Sequence, residues 1–545
     1  MLWLFGNSNE LFMHLQRLKI ITRQNYYFFE YFWRDIKYYN LPKLYFFHPF
    51  LAAYTKYNLP KAYFKSLCME KFVGRIEEQQ ILENALGSSS PELIAVTGRR
   101  RVGKTFLIRS VYRKHIVFEF SAVHNATMPE QLAGFMKAYQ QAMNSKAAYE
   151  VPASWLAAFN LLEDFLTPII KKKKAVAFFD EFPWMHTPRS NFLKAFEHFW
   201  NSYASKHPNL TVVICGSAAS WMIQNVVNNR GGLHNRLTRR LKLLPFSLKE
   251  TEEYLNSRSV KLDRYQLLQL YMAMGGIPEY LKQVTRSKSA AQVIDNLFFT
   301  KQAALKKEFD NLYPALFENA TRHIMVIRAL ASVSKGMTRK EIIDSTELNS
   351  GGWATQILNE LEESGFIMSY LPYNRTSKDL VYRLSDEYSL FYIKYIEKSR
   401  ATGSGTWLRI SESASWKSWG GYAFEAICLK HVPQIRAALG IGSIYTEESV
   451  WRHVPGKGQP GAQIDLLLDR KDYCINVCEM KFSTGEFTVT KKYAEELAQK
   501  ITVFRDVEKP RKTLFLTMIT TYGVAKNQYS KGIVQSELTM DILFD

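Results

Sequence analysis

The chain has 545 residues, of which 47% are hydrophobic and 22% charged, and its formal net charge is +20. At about 150 residues per domain this length predicts three to four folded domains, and the composition excludes disorder as the main state. We expect no membrane partner, because no run reaches the roughly 18 uncharged apolar residues that a membrane span needs. Five cysteines without paired CxxC spacing exclude a disulfide framework and a zinc site, and they predict a reducing, cytoplasmic location. The positive charge favours a polyanionic partner such as nucleic acid.

The first 68 residues differ in composition from the rest of the chain. They are rich in aromatic side chains, and the sequence of residues 39–46 recurs with small changes at 57–64. Two copies are too few for a solenoid, which needs several repeats to bury a face. We interpret residues 1–68 as a translated leader upstream of a biological start at Met69. The alternative is a small aromatic, basic accessory segment.

A glycine-containing segment follows the first clear strand pattern. Residues 92–97 form a short apolar run, and residues 98–105 then read GRRRVGKT before a helical pattern begins. GxxxxGKT between a strand and a helix is typical of a phosphate-binding loop, whose backbone N–H groups surround phosphate oxygens at a helix N-terminus. We expect Lys104 to reach the β- and γ-phosphates of ATP and Thr105 to bind Mg²⁺. The predicted nucleotide contacts are Gly98, Arg99, Arg100, Arg101, Val102, Gly103, Lys104, Thr105 and Phe106.

A second strand pattern ends in two acids. Residues 175–181 read AVAFFDE, a continuous apolar run of the kind found in buried parallel strands. This pattern predicts a Walker B strand, in which Asp180 holds the water shell of Mg²⁺ and Glu181 polarises the attacking water. The alternative is a strand that ends in a solvated acidic turn.

Two further residues are candidates for catalysis. Ser217 follows a third strand pattern at residues 210–215, where a small polar side chain can sense the γ-phosphate or the attacking water. The same residue also suits a helix N-cap. Arg236 lies in a glycine-containing loop with several arginines and is a candidate arginine finger, because a guanidinium offers bidentate donors to transition-state charge. The alternative for Arg236 is a basic surface loop.

These motifs occur in the same order as in prokaryotic AAA/STAND-type ATPases, and residues 69–545 resemble that family. The resemblance implies ATP binding and hydrolysis by a three-layer α/β domain followed by a helical lid. It rests on FVGR at 72–75, the phosphate-binding loop, FFDEFPWM at 178–185, ICGSAASWM at 214–222, the strand and turn at 243–248, and GGIPEYL at 275–281.

The same resemblance implies a set of contacts to the nucleotide base, namely Val73, Gly74, Arg75 and Pro278. Pro278 can also be explained locally, as the rigid first turn of a helix. Arg75 can alternatively pair with Glu77 or Glu78 on the surface.

Residues 322–385 predict three helices followed by a two-stranded hairpin. Thr338 and Glu341 form a capping box, and Gly365 is a helix stop. This is the outline of a winged helix-turn-helix, and it resembles the corresponding domain of the same ATPases. The third helix, which would enter the major groove of DNA, is rich in acids. A structural or regulatory linking role is therefore favoured, with any DNA contact through Arg375 and Lys378.

The carboxyl-terminal region, after a Gly-Ser-Gly linker at 403–405, contains a second acidic pattern. Asp465 lies on one predicted strand, and Glu479 and Lys481 share a face of the next. An acid followed by ExK on the next strand is the arrangement of restriction-endonuclease-like PD-(D/E)xK folds. Two carboxylates hold Mg²⁺ there, and the lysine orients the nucleophile or neutralises the phosphate. Glu425, on a preceding helix, matches the accessory acid of that fold.

The C-terminal pattern has alternatives. Three scattered residues match by chance far more often than a phosphate-binding loop does, and a solvent-facing salt pair on an edge hairpin would give the same pattern. Gly461–Ile464 also replace the proline that precedes the acid in the short PD form. Such domains survive in addition as inactive DNA-binding or docking modules, so cleavage stays open.

We therefore predict an α/β protein with a P-loop NTPase core of three layers, a helical lid, a winged helix-turn-helix and an α/β restriction-endonuclease-like domain. Its nucleotide state, with ATP and Mg²⁺ as cofactors, would control a Mg²⁺-dependent nuclease-like domain acting on DNA. The alternative is a STAND-type ATP/ADP signalling switch whose last domain binds without cutting. An arginine finger acting between chains would require a homo-oligomer. The predicted segments are a leader at 1–68, the ATPase core at 69–245, the lid at 246–315, the winged helix at 316–400 and the nuclease-like domain at 401–545.

Overall fold

The computed structural model describes residues 72–145, 147, 149–217, 219–227, 233, 235–317, 319–348, 351–399, 403, 405–454 and 461–545. The predictions on the leader, its repeat and the start at Met69 lie outside these residues. None of the helices in the described ranges is long and apolar enough to cross a membrane.

The first region is built on a five-stranded parallel sheet with the strand order β2-β3-β4-β1-β5. The strands are β1 (Glu92–Thr97), β2 (Ile116–Ser121), β3 (Ala175–Asp180), β4 (Leu210–Gly216) and β5 (Arg239–Lys242). Its helices are α1 (Ile76–Gly87), α2 (Lys104–Val111), α3 (Met128–Ala142), α4 (Trp155–Ile170), α5 (Phe192–His198) and α6 (Ala219–Met222). The strand expected within 243–248 ends earlier, at Lys242.

The three central strands of this sheet are buried on both faces, to which successive side chains of a strand point in turn. On β1, Leu93 and Ala95 join one hydrophobic cluster, whereas Ile94 and Val96 join another. β1, β3 and β4 are buried at every residue. Their continuous apolar runs are therefore explained by packing on two sides, and the core has the α/β architecture with a central parallel sheet that the sequence predicts.

Short helices follow this sheet. They are α7 (Leu248–Ser257), α8 (Arg264–Met274), α9 (Pro278–Leu281), α10 (Ala290–Ile294) and α11 (Glu308–Leu312). Pro278 is the first residue of α9, where its missing N–H costs no helix hydrogen bond. Ser247 and Glu250 close a capping box at the start of α7.

The middle region has the order helix, strand, helix, helix, strand, strand. Its elements are α12 (Ala320–Ser332), β6 (Met337–Thr338), α13 (Arg339–Thr346), α14 (Gly352–Glu363), β7 (Ile367–Tyr370) and β8 (Val381–Leu384), followed by α15 (Glu387–Phe391). The three strands form an antiparallel sheet in the order β6-β8-β7. The capping box of Thr338 and Glu341 is confirmed, and Gly365, with φ of 75°, follows the end of α14.

The last region is a mixed sheet with the order β13-β12-β11-β10-β9. Strands β9 to β11 pair antiparallel, whereas β12 joins β11 in parallel after a long helix. The strands are β9 (Thr446–His453), β10 (Ala462–Arg470), β11 (Cys474–Lys481), β12 (Thr513–Thr520) and β13 (Ser536–Thr539). The helices are α16 (Thr406–Ser411), α17 (Ala414–Lys430), α18 (Val432–Ala438), α19 (Lys491–Glu508) and α20 (Gln528–Ile533).

The predicted linker at 403–405 is bound to the rest of the protein. The Gly403 N–H donates to the Phe299 carbonyl at 2.9 Å, and the Gly405 N–H donates to the Asp295 carboxylate at 2.9 Å. Just beyond it, the buried Trp407 stacks on Phe299. One hydrophobic core therefore runs from β1 to α17, and residues 72–545 form one compact unit. Composition alone could not reveal these tertiary contacts.

Candidate nucleotide site and a second carboxylate site

The loop between β1 and α2 requires glycine at two positions. Gly98 has φ of 142° and Gly103 has φ of 93°, both in the region that residues with a side chain rarely adopt. A side chain at Gly98 would in addition collide with the backbone carbonyl of Leu243, the residue after β5. The loop is therefore held against the neighbouring strand and turns directly into the N-terminus of α2.

Lys104 and Thr105 are the first two residues of α2. The Lys104 ammonium is buried and donates to the carbonyl oxygens of Gly98 at 2.9 Å and Arg99 at 3.0 Å. The Thr105 hydroxyl donates to the two carboxylate oxygens of Asp180 at 3.1 and 3.0 Å. The phosphate-loop pattern and the acid at the end of β3 thus meet in one place.

Asp180 has one contact that the sequence interpretation missed. The Ser121 hydroxyl, at the end of β2, donates to the Asp180 carboxylate at 3.0 Å. Ser121 and Asp180 are register partners in neighbouring parallel strands, so their side chains lie side by side. A serine at the end of a strand does not by itself predict a contact with Asp180. The contact arises because β2 lies beside β3, and the strand order cannot be read from the local sequence.

Glu181 and Ser217 are brought together by the neighbouring strands β3 and β4. The Ser217 hydroxyl donates to one Glu181 oxygen at 2.9 Å, and the Ser217 N–H donates to the same oxygen at 3.2 Å. Glu181 itself has a left-handed backbone with φ of 50°. This turn directs the carboxylate toward the end of β4, where Ser217 fixes its position.

The arginines of the loop have different surroundings. Arg100 is exposed, whereas Arg101 pairs with Glu308 at 2.7 Å. Arg99 is buried and forms an ion pair with Asp386, beyond β8. The Arg99 side chain therefore binds the middle region and not a phosphate. Only the Arg99 backbone lies in the predicted phosphate-binding loop. Phe106 is partly exposed and stacks on Phe72 at 5.7 Å.

Arg75 is buried rather than on the surface. Its guanidinium donates to the carbonyl oxygens of Leu244 at 2.6 Å and Val102 at 3.4 Å, and it also contacts Glu78 at 3.4 Å. Its carbon lies 4.6 Å from the centre of the Phe246 ring. The pairing with Glu78 that the sequence left as an alternative is therefore present, but inside the protein.

The segment before α1 and the segment before α9 both approach the chain at 246–250. Gly74 has φ of 70°, and a side chain there would meet Glu250. The Phe246 N–H donates to the Gly276 carbonyl at 2.7 Å, two residues before Pro278. Val73, next to Gly74, is half-buried. The predicted base-side residues thus share one connecting segment, residues 246–250. Arg236, in contrast, is exposed in a turn before β5.

The second site lies on β10 and β11. Glu479 is buried, and its carboxylate accepts from Lys481 at 2.9 Å. Asp465, on the neighbouring strand, is also buried and accepts from the Met480 N–H at 3.1 Å. The acid and the ExK pair predicted from the sequence therefore face each other across two antiparallel strands.

Two residues of α19 complete this site and were not predicted. The Lys500 ammonium donates to the two Glu479 oxygens at 3.0 and 2.8 Å, and the Tyr493 hydroxyl donates to Glu479 at 2.7 Å. Positions 493 and 500 are seven apart and so lie on one face of the helix. That spacing is the signal that could have identified them, but only once α19 was known to cover this face of the sheet.

The pKa values of the two acids are shifted in opposite directions. Burial, together with the nearby Glu425 and Glu479, raises the pKa of Asp465 well above its usual range. Burial also acts to raise the pKa of Glu479, but Lys481 and Lys500 outweigh it and lower that pKa. Burial acts to lower the pKa of Lys481, but Glu479 outweighs it and raises that pKa. Glu479 and Lys481 are therefore an ionised pair.

Glu425 has another partner. Its carboxylate pairs with Arg383, at the end of β8. Within the described residues no group of three or more His, Cys, Asp or Glu side chains is placed to hold a metal ion. Arg383 thus holds one oxygen of the Glu425 carboxylate, and the role of Glu425 as a third acidic ligand stays a prediction. Asp465 and Glu479 remain as the acidic pair.

Comparison with known proteins agrees with the first site. Residues 72–284 match the family described as an ATPase domain predominantly from Archaea. The chain is 26% identical over 435 residues to the uncharacterized protein MJECL04 of Methanocaldococcus jannaschii, covering 79% of this chain and 91% of that protein.

Two solved structures are also similar. The Walker-type ATPase PABY2304 of Pyrococcus abyssi has 16% identity and a TM-score of 0.45, over 59% of this chain and 96% of that chain. The Aeropyrum pernix ORC2 protein, solved as ADPNP-ADP complexes, has 13% identity and a TM-score of 0.36, over 60% of this chain and 95% of that chain. The family match, together with the loop between β1 and α2, identifies residues 72–284 as an ATPase domain of the archaeal type.

Proposed function

We propose that the protein binds ATP at the loop between β1 and α2 and hydrolyses it with Mg²⁺. The observation that carries this proposal is the contact between the Thr105 hydroxyl and both oxygens of Asp180. A hydroxyl and a carboxylate are the hard oxygen ligands that Mg²⁺ prefers, so these residues fit the ion. Bound there, Mg²⁺ would neutralise charge on the β- and γ-phosphates.

The remaining residues of the site would have separate roles in ATP binding and hydrolysis. The Lys104 ammonium would bind the β- and γ-phosphates, and the N–H groups of residues 98–106 would surround them. Glu181 would orient and polarise the attacking water. Ser217 acts through Glu181, because its hydroxyl and N–H hold one oxygen of that carboxylate. Val73, Gly74, Arg75 and Pro278 would border the base.

The test is ATP binding and turnover in the full chain and in Lys104→Ala. We expect ATP affinity to fall at least about tenfold, as for the loss of a hydrogen bond to a charged group. Lys114→Ala, at an exposed lysine shortly after α2, is the matched control and should bind as wild type does. Unchanged ATP affinity in Lys104→Ala would remove the nucleotide site from this loop.

We propose that the last region is a nuclease-like domain that acts on DNA. Support comes from the order of its elements: a helix, three antiparallel strands, a long helix and a parallel strand. Asp465 and Glu479 offer two carboxylates, which is how Mg²⁺ is commonly held beside phosphates and water. Lys481 would then orient the nucleophile or neutralise the phosphate, since it already lies beside Glu479.

One observation favours a second candidate, a STAND-type switch whose last domain binds without cutting. Both oxygens of Glu479 accept hydrogen bonds from Lys500, and Arg383 holds Glu425. Cleavage of single- and double-stranded DNA, with Mg²⁺ and with or without ATP, separates the two candidates. ATP-dependent cutting that is lost in Lys481→Ala supports the nuclease. ATPase activity without cutting in either protein supports the switch.

We propose that the middle region is a winged helix with a linking role. The acids of α14, which made this helix a poor candidate for DNA reading, have partners inside the protein. Glu363 pairs with Arg240 at 2.7 Å and with Lys242 at 3.5 Å, both in β5. Glu360 accepts from His323 at 2.8 Å. The helix is thus attached to the ATPase domain, whereas Arg375 and Lys378 are exposed and could contact DNA.

The proposal includes a homo-oligomer and a cytoplasmic location. Exposed Arg236 would serve as an arginine finger only in a homo-oligomer, so a change in molecular mass on adding ATP would support that role. Four cysteines in the described ranges are free, which fits a reducing cytoplasm.

A further inference from the structure

Residues 383–387, which we call the junction segment, join β8 to α15 and carry three buried charges. Arg383, Asp386 and Glu387 are each less than a tenth exposed. Each forms an ion pair with a residue outside the segment. One pair reaches the phosphate-binding loop, and two reach α17.

The first pair joins the junction segment to the nucleotide site. Asp386 pairs with Arg99, whose side chain is 1% exposed and lies 4.7 Å from the centre of the Phe366 ring. Arg99 is also the residue whose carbonyl oxygen accepts from the Lys104 ammonium at 3.0 Å. Lys104, which would bind the phosphates, therefore contacts Arg99, which holds the junction segment through Asp386.

The other two pairs join the junction segment to α17. Glu387 accepts from Lys430 at 2.6 Å, and Arg383 pairs with Glu425. This helix packs on β11, since Phe424 lies 6.0 Å from Phe482, the residue after Lys481. The helix held by the junction segment is therefore the one that covers the strand carrying Glu479.

We propose that the junction segment transmits the nucleotide state of the phosphate-binding loop to α17. Phosphate bound at Lys104 would replace the Gly98 and Arg99 carbonyl oxygens as acceptors of the ammonium, which moves the backbone of the residue whose side chain holds Asp386. Phosphate binding at Lys104 therefore weakens the hold of Arg99 on Asp386, and with it the pairs at Lys430 and Glu425. Release of Glu425 from Arg383 returns a third carboxylate to the side of Asp465. This inference rests on the proposed ATP site, and it names how that site is connected to the second one.

Coupling between two sites is reciprocal and has a measurable size. Typical couplings correspond to about 5-fold to 150-fold changes in an equilibrium. We therefore expect a non-hydrolysable ATP analogue with Mg²⁺ to speed hydrogen exchange of the α17 amides by about tenfold in the full chain. Binding of the analogue itself is measured in parallel.

The variant Lys430→Gln breaks the link at its less buried end, where the lysine is 18% exposed. Its α17 amides should respond by about twofold or less, below the smallest typical coupling of about 5-fold, because only the Arg383–Glu425 pair still reaches the helix. The double variant Glu387→Gln/Lys430→Gln removes both charges, so no buried carboxylate is left unpaired, and should behave alike. Lys512→Gln is the matched control. It breaks a pair with Asp469 at a lysine of similar exposure, 23%, and should keep the wild-type response.

The outcomes distinguish a failure of the link through the junction segment from a failure of the proposed ATP site. If the analogue does not bind the wild-type chain, the proposed ATP site fails and the link fails with it. If it binds and the α17 amides do not respond, the link alone is overturned. An equal response in wild type, in Lys430→Gln and in the double variant also overturns the link. A response in wild type and Lys512→Gln that is lost in the other two variants supports it.

Discussion

The two carboxylate sites of this protein differ in what surrounds the acids. Asp180 accepts hydrogen bonds from the neutral hydroxyls of Thr105 and Ser121, and within the described ranges no cationic side chain pairs with it. Glu479 accepts from two ammonium groups and a phenol. The first site therefore keeps its negative charge for a cation, whereas the second is already neutralised by lysines of the protein itself.

The largest expected effect tests the first site. Glu181→Gln keeps the size and hydrogen-bonding ability of the side chain but cannot polarise water as a carboxylate does. We expect ATP turnover to fall by about 10² to 10⁴, while ATP still binds. Steady-state turnover and equilibrium binding of ATP measure the two quantities. Turnover at the wild-type rate would show that another group activates the water.

A matched pair of substitutions tests whether the acids of the two sites differ in their cationic partners. Glu479→Gln leaves Lys481 and Lys500 without their shared counterion, and we expect a loss of about 1–3 kcal/mol in the free energy of unfolding. The lower part of the range applies because these lysines are 32% and 27% exposed. Asp180→Asn removes no cationic pair and should change stability by less than about 1 kcal/mol. Urea unfolding of both variants provides the values, and equal losses would contradict the difference between the sites.

A pH dependence is expected at the contact between the ATPase side and the last region. His431 of the last region accepts from the Leu248 N–H at 3.3 Å, and burial lowers its pKa to about 4. Between pH 6.5 and 4 the unfolded chain therefore binds a proton that the folded chain does not, so this contribution to stability falls as pH falls. The full difference of about 2.5 in pKa corresponds to about 3 kcal/mol.

The variant His431→Gln isolates this contribution. We expect its unfolding free energy to change less between pH 7 and pH 4.5 than that of wild type. Parallel pH profiles for the two proteins would show that His431 does not titrate with unfolding.

The smallest effect on turnover is expected at Ser217. Ser217→Ala removes one of two donors to Glu181, because the backbone N–H at 3.2 Å remains. Turnover should fall by about tenfold, as for the loss of one hydrogen bond to a charged group. Ser217→Thr retains the hydroxyl and should recover most of the activity. A loss as large as that of Glu181→Gln would show that Ser217 contacts the reacting atoms itself.

The arrangement of the candidate nucleotide site could be predicted largely from local sequence. The residues from Gly98 to Thr105 and the run that ends at Asp180 are short segments whose glycines, lysine and acid determine their own geometry. Their meeting also followed, because parallel strands end at the same edge of a sheet. Ser121 was missed because its role depends on the strand order, which no local pattern contains.

The second site was predicted less completely. Asp465, Glu479 and Lys481 follow from the alternation of side chains along two paired strands. Lys500, Tyr493 and the pairing of Glu425 with Arg383 come from elements far apart in the chain, and their contacts depend on how helices pack over the sheet. The contacts of the predicted linker were missed for the same reason. Gly403 and Gly405 have φ of 128° and 81°, and their N–H groups donate to Phe299 and Asp295, residues about 100 positions earlier in the chain.

The continuous core has a practical consequence for dissecting this protein. Trp407, Trp416 and Trp419 pack against Phe391 and Tyr395, which precede the Gly-Ser-Gly segment. A chain that begins at residue 401 would lack Phe391 and Tyr395 and would expose the three tryptophans. A chain that ends at residue 400 would lack the tryptophans and would expose Phe391 and Tyr395. Each fragment would present a large apolar surface to solvent and aggregate. Expression of either half is therefore expected to succeed only when both are produced together.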